Sequence, residues 1–253
     1  MLLACILNPK ARDGRSKKKY PLIFQELENA GFATELHFTT HAGHAVEIAF
    51  GLRERDDIYM VVAIGGDGTA HEVASGLRLS QKRMGIIPLG SGDDMARAMG
   101  IPRKNIKAAV DIIKNGTDHL VGAVRVEGPP ADSPDKPPNG HICNGLPRVE
   151  GNIVRWSFVE TDAGVTSSVN RMKSQGVFTW IPGQLKYQML GVRAIFGWKP
   201  QKAWFQLNGG AAAIVDLQGL FVVQMCETFG GGKYSLRNIT APSIFTTNDW
   251  VTL

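Results

Sequence analysis

Cysteine is scarce. Cys5, Cys143 and Cys226 lie too far apart for a zinc spacing and are odd in number for a disulfide set, which excludes a disulfide-built scaffold and fits three free thiols in a reducing compartment. Long apolar runs are missing as well, so any membrane contact would be peripheral. The opening Met-Leu-Leu-Ala-Cys-Ile-Leu has no basic leader and gives way to Asn8-Pro9-Lys10, so it is too short for a secretory signal core and reads as a first strand. Charge of one sign is not dominant: 28 Lys and Arg against 23 Asp and Glu is a mild bias toward anionic partners, too weak to choose among nucleotides, lipid headgroups and RNA. With an ordinary apolar fraction, 253 residues suffice for one large or two modest globular domains.

What stands out is Met60 to Thr69, Met-Val-Val-Ala-Ile-Gly-Gly-Asp-Gly-Thr. An apolar run of strand length stops at Gly65-Gly66, and a helical pattern with Val73, Ala74 and Leu77 on one face is expected from Ala70. Glycines let the backbone approach an anion, and the free N–H groups at a helix start point at it, so such a turn suits phosphate. Asp67 would repel phosphate unless a divalent cation lies between them or the carboxylate takes a proton from an attacking hydroxyl. Both uses belong to phosphoryl transfer; the plain alternative is a tight turn with Asp67 as a cap. No Gly-Lys-Ser/Thr follows this turn, which separates it from the Walker loop, and the dinucleotide fingerprint Gly-x-Gly-x-x-Gly is absent.

The rest of the first half alternates strand and helix. Residues 2–7 read as a buried parallel strand, followed by a basic loop, Asn8 to Lys19, that is either a phosphate site or a solvated turn. Leu22, Ile23 and Leu27 predict a helix face, 32–38 a strand, and Ala45, Ile48, Ala49 and Leu52 a second helix. His41 and His44 have no carboxylate or cysteine at ligand spacing and read as solvated helix-start residues. Residues 84–89 predict a strand that runs into Gly90-Ser91-Gly92-Asp93-Asp94, a second glycine turn with acidic residues at its mouth. A helix over 106–113 and a strand over 120–126 complete the alternation expected of a doubly wound sheet, whose ligands bind at the carboxyl ends of strands. Residues 128–140 read as an exposed proline-rich loop. Strands over 154–159, 203–207, 213–217 and 220–225, with Asn208-Gly209 as a hairpin turn, predict an antiparallel β-rich second half. Within it, 184–196 is helical by spacing, a cover for the sheet or a surface for lipid. The predicted domains are 1–122 and 123–253.

The sequence resembles the diacylglycerol kinase catalytic-domain family, which includes sphingosine kinases and bacterial lipid kinases. The resemblance is carried by Asn8-Pro9, by Thr39 with Gly43-His44-Ala45, by Gly65 to Thr69 with Glu72, and by Ile87 to Asp94; weaker echoes lie at Asp162 to Val165, Gly230 to Gly232 and Asn248-Asp249. It implies a nucleotide-binding α/β domain followed by a β-sandwich, with ATP in the cleft between them. By position, Asn8, Pro9, Thr39, Gly65, Gly66, Asp67, Gly68, Thr69 and Ser91 would meet ATP, with Glu72 supporting them from the next helix. Asp67 would be the catalytic carboxylate, serving Mg²⁺-ATP or the acceptor hydroxyl, and Asp249 would help hold a structural Mg²⁺. The implied partners are ATP, a lipid substrate and a membrane touched peripherally from the cytoplasm; a homodimer is compatible with the sequence and nucleic acid is not expected.

Three departures from the family stand out. Asp93 replaces the usual asparagine and needs a cation or a basic neighbour. The family's aspartate after the fourth helix falls on Leu120, with Asp118 as the nearest substitute. Trp250 replaces a glycine, and the family's later Asp-Gly-Glu segment does not follow, which implies either a fragment or a shortened relative whose sandwich is incomplete. The leading expectation is an ATP-dependent kinase of a diacylglycerol or sphingoid base. The alternatives are NAD kinase, which shares the Gly-Gly-Asp-Gly turn, and a nucleotide- or lipid-binding relative without catalysis.

Overall fold

The structure is a computed structural model that describes residues 1–9, 15–121, 123–128, 153–158, 160–178, 180–181, 183–199, 201–205, 211, 213–217 and 219–223. The chain divides into two compact units. The first is built on Met1–Ala123 and takes in Ser157 and Phe158; the second includes the elements from Val124 to Trp156 and from Glu160 to Gln224.

In the first unit β1 (Leu2–Leu7) leads through a 3-10 turn (Arg15–Lys19) to α1 (Tyr20–Asn29), then β2 (Ala33–Phe38) to α2 (His44–Leu52). Next come β3 (Ile58–Gly65), α3 (Asp67–Leu77), β4 (Met84–Pro88), the short α4 (Asp94–Ala98) and α5 (Ile106–Asn115). The strands form one parallel sheet in the order β2-β1-β3-β4. β1 and β3 are its central strands, which is why Leu3, Ile6, Leu7, Val61, Val62 and Ile64 are fully buried and why their sequences run apolar without alternation. Each such side chain contributes about 1.5–3 kcal/mol by leaving water. Helix α1 packs with α5, and α2 with α3. With right-handed crossovers these pairs cover opposite faces of the sheet. The order reverses between β1 and β3, so the carboxyl ends of those two strands form the switch point at which open α/β sheets bind ligands.

Several sequence expectations shift in detail. Helix α3 starts at Asp67 rather than Ala70, so Gly68 and Thr69 belong to its first turn. The inner face of α1 is Tyr20, Ile23 and Leu27, while Leu22 is exposed. The strand expected over 120–126 begins later, as β5 (Val124–Gly128), and leaves the parallel sheet to pair with β6 (Ile153–Ser157). Leu120 lies in non-strand backbone at 97% exposure, because a residue outside the sheet has no core to enter.

In the second unit β7 (Glu160–Gly164) runs into α6 (Val165–Ser174), followed by α7 (Gly183–Gly197), β8 (Gln201–Phe205), β9 (Ala213–Leu217) and β10 (Gly219–Val223). β7 pairs antiparallel with β10, and β8 with β9. The antiparallel expectation therefore holds for these ladders, whereas α6 carried no signal strong enough to be expected. The proline-rich 128–140 segment beyond Gly128, the Asn208-Gly209 turn, Gly230 to Gly232 and Asn248-Asp249 lie outside the described residues.

Candidate active site

The carboxyl ends of the four parallel strands bring the sequence-predicted residues of the first unit into one row. Asn8 and Pro9 follow β1, Thr39 follows β2, Gly65 to Thr69 end β3 and open α3, and Ser91 follows β4. The backbone stitches this row together: Asn8 N–H donates to Ile64 O at 3.4 Å, Thr39 N–H to Leu7 O at 2.9 Å and Leu89 N–H to Gly65 O at 2.7 Å. Tyr20 Oη adds a bond to Asn8 O at 3.1 Å, tying α1 to the end of β1.

The two glycine turns touch. A Cβ on Gly90 would lie 2.6 Å from Gly66 Cα, and one on Gly65 would lie 2.5 Å from Thr69 Oγ1. No larger residue fits at either place, which explains glycine at 65 and 90 by close approach alone. Thr69 is buried over Gly65, whereas Gly68 and Ser91 are exposed. The first N–H groups of α3 have no carbonyl ahead of them, so the edge of the sheet presents backbone donors next to a carboxylate.

That carboxylate is Asp67, which is half-buried. Its Oδ1 accepts the N–H of Met95 in α4 at 3.1 Å. Its Oδ2 comes within 2.9 Å of the point that a Gly92 Cβ would occupy, and Asp94 Oδ2 within 3.2 Å of the same point. Two carboxylates thus converge on the second turn, and Arg97 pairs with Asp94. Such hard oxygen donors beside free backbone N–H groups fit Mg²⁺ with a nucleotide phosphate.

Asp93 occupies a left-handed backbone position, φ 52° and ψ 43°, which Asp and Asn tolerate better than most residues. Its side chain is 3% exposed, and Oδ1 accepts Gly90 N–H at 2.7 Å. The basic neighbour that the sequence calls for is Arg103: Nε stands 3.7 Å from Asp93 Oδ2, and Nη2 donates to Ser91 O at 2.6 Å. Sequence reasoning does not single out Arg103 or Asp94 as site residues. Asp94 sat in view as part of an acidic pair, but Arg103 has no motif and reaches the turn only through the fold.

Glu72 acts one layer back. Its two oxygens accept Gly43 N–H at 3.0 Å and Ala45 N–H at 3.2 Å, so it holds the amino end of α2, where a negative charge is favoured. His41 is exposed and His44 half-buried, their rings stacked at 4.7 Å, both with Nδ1 near Thr40 Oγ1. Among the described residues no group of three or more His, Cys, Asp or Glu side chains is arranged to hold a metal.

Asp118 does not reach this edge. It is exposed and pairs with Arg83 at 2.6 Å, and Arg83 also bonds Tyr59 Oη at 2.5 Å. Tyr59 is the second residue of β3 and Arg83 precedes β4, so the cluster sits at the amino ends of the strands, opposite the glycine turns. Asp118 is therefore no substitute for the family's aspartate. Asp249 lies outside the described residues. A cavity of about 540 Å³ in the second unit, lined by Ser168, Met172, Arg193, Ala194, Phe196 and Trp198, contains none of the residues singled out for the site.

A parallel α/β sheet with a carboxylate-bearing glycine turn at its switch point is the arrangement in which open α/β sheets bind ligands. Residues 3–126 match the family described as diacylglycerol kinase catalytic domain. The chain is 40% identical over 127 residues to a diacylglycerol kinase of Bacillus subtilis (strain 168), covering 49% of this chain and 41% of that one. A diacylglycerol kinase of Staphylococcus carnosus (strain TM300) is 38% identical over 114 residues, 44% of this chain and 36% of the relative. The chain thus spans less than half the length of these curated relatives. A crystal structure from Bacillus anthracis str. Sterne superposes with a TM-score of 0.60 at 20% identity, over 88% of this chain and 65% of that one. At that identity the likeness speaks for the fold.

Proposed function

We propose that the chain carries the nucleotide site of an ATP-dependent lipid kinase, which transfers the γ-phosphoryl group to the hydroxyl of a diacylglycerol or sphingoid base. One observation carries the reading: Asp67, at the end of β3, is anchored through Oδ1 to α4 while Oδ2 faces the second glycine turn. A fixed carboxylate beside backbone donors is what phosphoryl transfer asks of a protein, because that chemistry needs positioning and charge neutralisation more than covalent help. The N–H groups at the start of α3 would hold phosphate, and Asn8, Thr39 and Ser91 would border the nucleotide along the same edge. Bound Mg²⁺ would supply neutralisation of the phosphate charge, with Asp67 and Asp94 as its donors. Otherwise Asp67 accepts the proton of the attacking hydroxyl.

The second unit, with its antiparallel ladders, is read as the lipid-substrate part, and its membrane contact as peripheral, from the cytoplasmic side. The family match favours a lipid acceptor over NAD. The test is transfer of labelled γ-phosphate from Mg²⁺-ATP to vesicles containing diacylglycerol, ceramide or sphingosine, with NAD as the competing acceptor. Labelled lipid that vanishes with Asp67→Asn supports the proposal. ATP binding with no transfer to any acceptor would overturn it and leave a nucleotide-binding relative.

A further inference from the structure

Three carboxylates meet at the second glycine turn, in three different electrostatic settings. Asp94 is exposed and paired with Arg97, so water screens much of both charges. Asp67 is half-buried, and among the described residues no arginine or lysine pairs with it; its Oδ1 takes the Met95 N–H instead. Asp93 is the odd member. It is buried within the turn, with Oδ1 on Gly90 N–H, so solvent ions screen its charge far less than that of Asp94. Uncompensated, it would add a second negative charge at the edge where nucleotide phosphate is read to bind.

What Arg103 gives Asp93 is charge. Its Nε stands 3.7 Å from Asp93 Oδ2 and, although buried, makes no hydrogen bond, because that distance is beyond the reach of one. The same guanidinium makes a true hydrogen bond elsewhere, from Nη2 to Ser91 O at 2.6 Å, on the backbone of the turn. One side chain thus sets both the position of the turn and its electrostatic balance. With Arg97 and Arg103 set against Asp93, Asp94 and Asp67, one negative charge remains, that of Asp67. This is the carboxylate placed to hold a cation or to take a proton. A neutral residue at 93 would leave nothing for Arg103 to offset, so the two side chains are read as one device.

We propose that Arg103 is a positioning residue of the nucleotide site whose charge, by cancelling that of Asp93, sets the affinity for a polyphosphate. The inference rests on the ATP-site reading, and binding measured without transfer separates the two. Calorimetry gives the affinity for Mg²⁺-ATP and, in EDTA, for ATP and AMP. The chains compared are wild type, Arg103→Lys, Arg103→Ala, Asp93→Asn and the double variant Asp93→Asn/Arg103→Ala. Arg103→Ala should lose about tenfold or more in affinity for Mg²⁺-ATP, more for ATP in EDTA, where no metal offsets the phosphates, and least for AMP. Arg103→Lys keeps the charge and should stay within about threefold of wild type, and the double variant should regain most of the loss. Asp93→Asn alone, which keeps the arginine, should bind ATP more tightly than wild type; this arm decides the matter even if Arg103→Ala does not fold. An equal loss for all three ligands would reduce Arg103 to shaping the turn and overturn the proposal, as would ATP binding in Asp93→Asn no tighter than in wild type. No nucleotide binding by wild type overturns the ATP-site reading and this inference together. The expected pattern of affinities with no transfer to any lipid supports the role of Arg103 while counting against the kinase.

Discussion

Asp67 and Met95, 28 positions apart, are joined by one hydrogen bond from the Met95 N–H to Asp67 Oδ1 at 3.1 Å. This bond fixes the carboxylate at the end of β3 to the helix that follows β4. The orientation of Asp67 therefore depends on both glycine turns being in place.

Replacing Asp67 separates its anchoring from its charge. Asp67→Asn keeps an oxygen for Met95 and should leave the melting temperature nearly unchanged, while transfer falls by about 10²–10⁴-fold if the carboxylate works as base or cation ligand. Asp67→Ala loses the anchor as well and should cost about 1 kcal/mol of stability. Paired melting and transfer measurements decide the point, and an Asn variant with full transfer would remove Asp67 from the chemistry.

The contact between the turns makes opposite predictions for two glycines. A Cβ at Gly90 would fall 2.6 Å from both Gly66 Cα and Asp93 Oδ1, and backbone cannot swing aside. Gly90→Ala should cost about 1–3 kcal/mol and weaken ATP binding along with the fold. At Gly68 a Cβ meets nothing within 4 Å, and the residue lies in the first turn of α3. Gly68→Ala should leave the melting temperature equal or slightly higher; a drop in ATP affinity there, read by calorimetry, would locate the nucleotide against this turn.

How far these features could be read in advance depends on what each one rests on. The buried runs of β1 and β3 and the turns at Gly65 and Gly90 are local signals, because a parallel strand covered on both faces must be apolar throughout. Leu120 misled because an apolar residue after a helix reads as the next strand, yet strand formation needs a neighbour to pair with. Helix α3 begins three residues early because Asp67, Gly68 and Thr69 have turn-like identities in sequence but adopt helical backbone once Gly66 closes the strand. Arg103 was invisible for a different reason: its partner Asp93 is ten residues away, and no periodicity links a loop arginine to a buried carboxylate.

That pair yields a coupling prediction. Asp93 is 3% exposed and Arg103 Nε lies 3.7 Å from it, so removing the cation leaves a buried charge less well compensated. Arg103→Ala should destabilise by about 1–3 kcal/mol, more than a surface substitution would. In the Asp93→Asn background, which restores the neutral residue usual in the family, the same change should cost less, with a coupling of at least about 0.5 kcal/mol. Denaturant melts of the four chains give the cycle. Strict additivity would show that Arg103 serves the Ser91 carbonyl alone.

The last prediction concerns Cys5, fully buried in the middle of β1, where burial pushes its thiol up to about 12 from an ordinary 9.0. The folded chain keeps it neutral at every pH at which the unfolded chain begins to ionise it. Its contribution to stability is therefore fully present below about pH 9 and is lost as pH rises from there toward 12. Two results are expected. A thiol reagent at pH 8, with labelled sites mapped by mass spectrometry, should spare Cys5 in the native chain and modify it after denaturation, since the thiolate is the reacting form. Cys5→Val, close in size and unable to ionise, should flatten the alkaline side of the stability profile relative to wild type. Rapid native labelling of Cys5 would mean that the central strand opens on the timescale of the reagent, and the sheet edge could not then hold Asp67 as a fixed group.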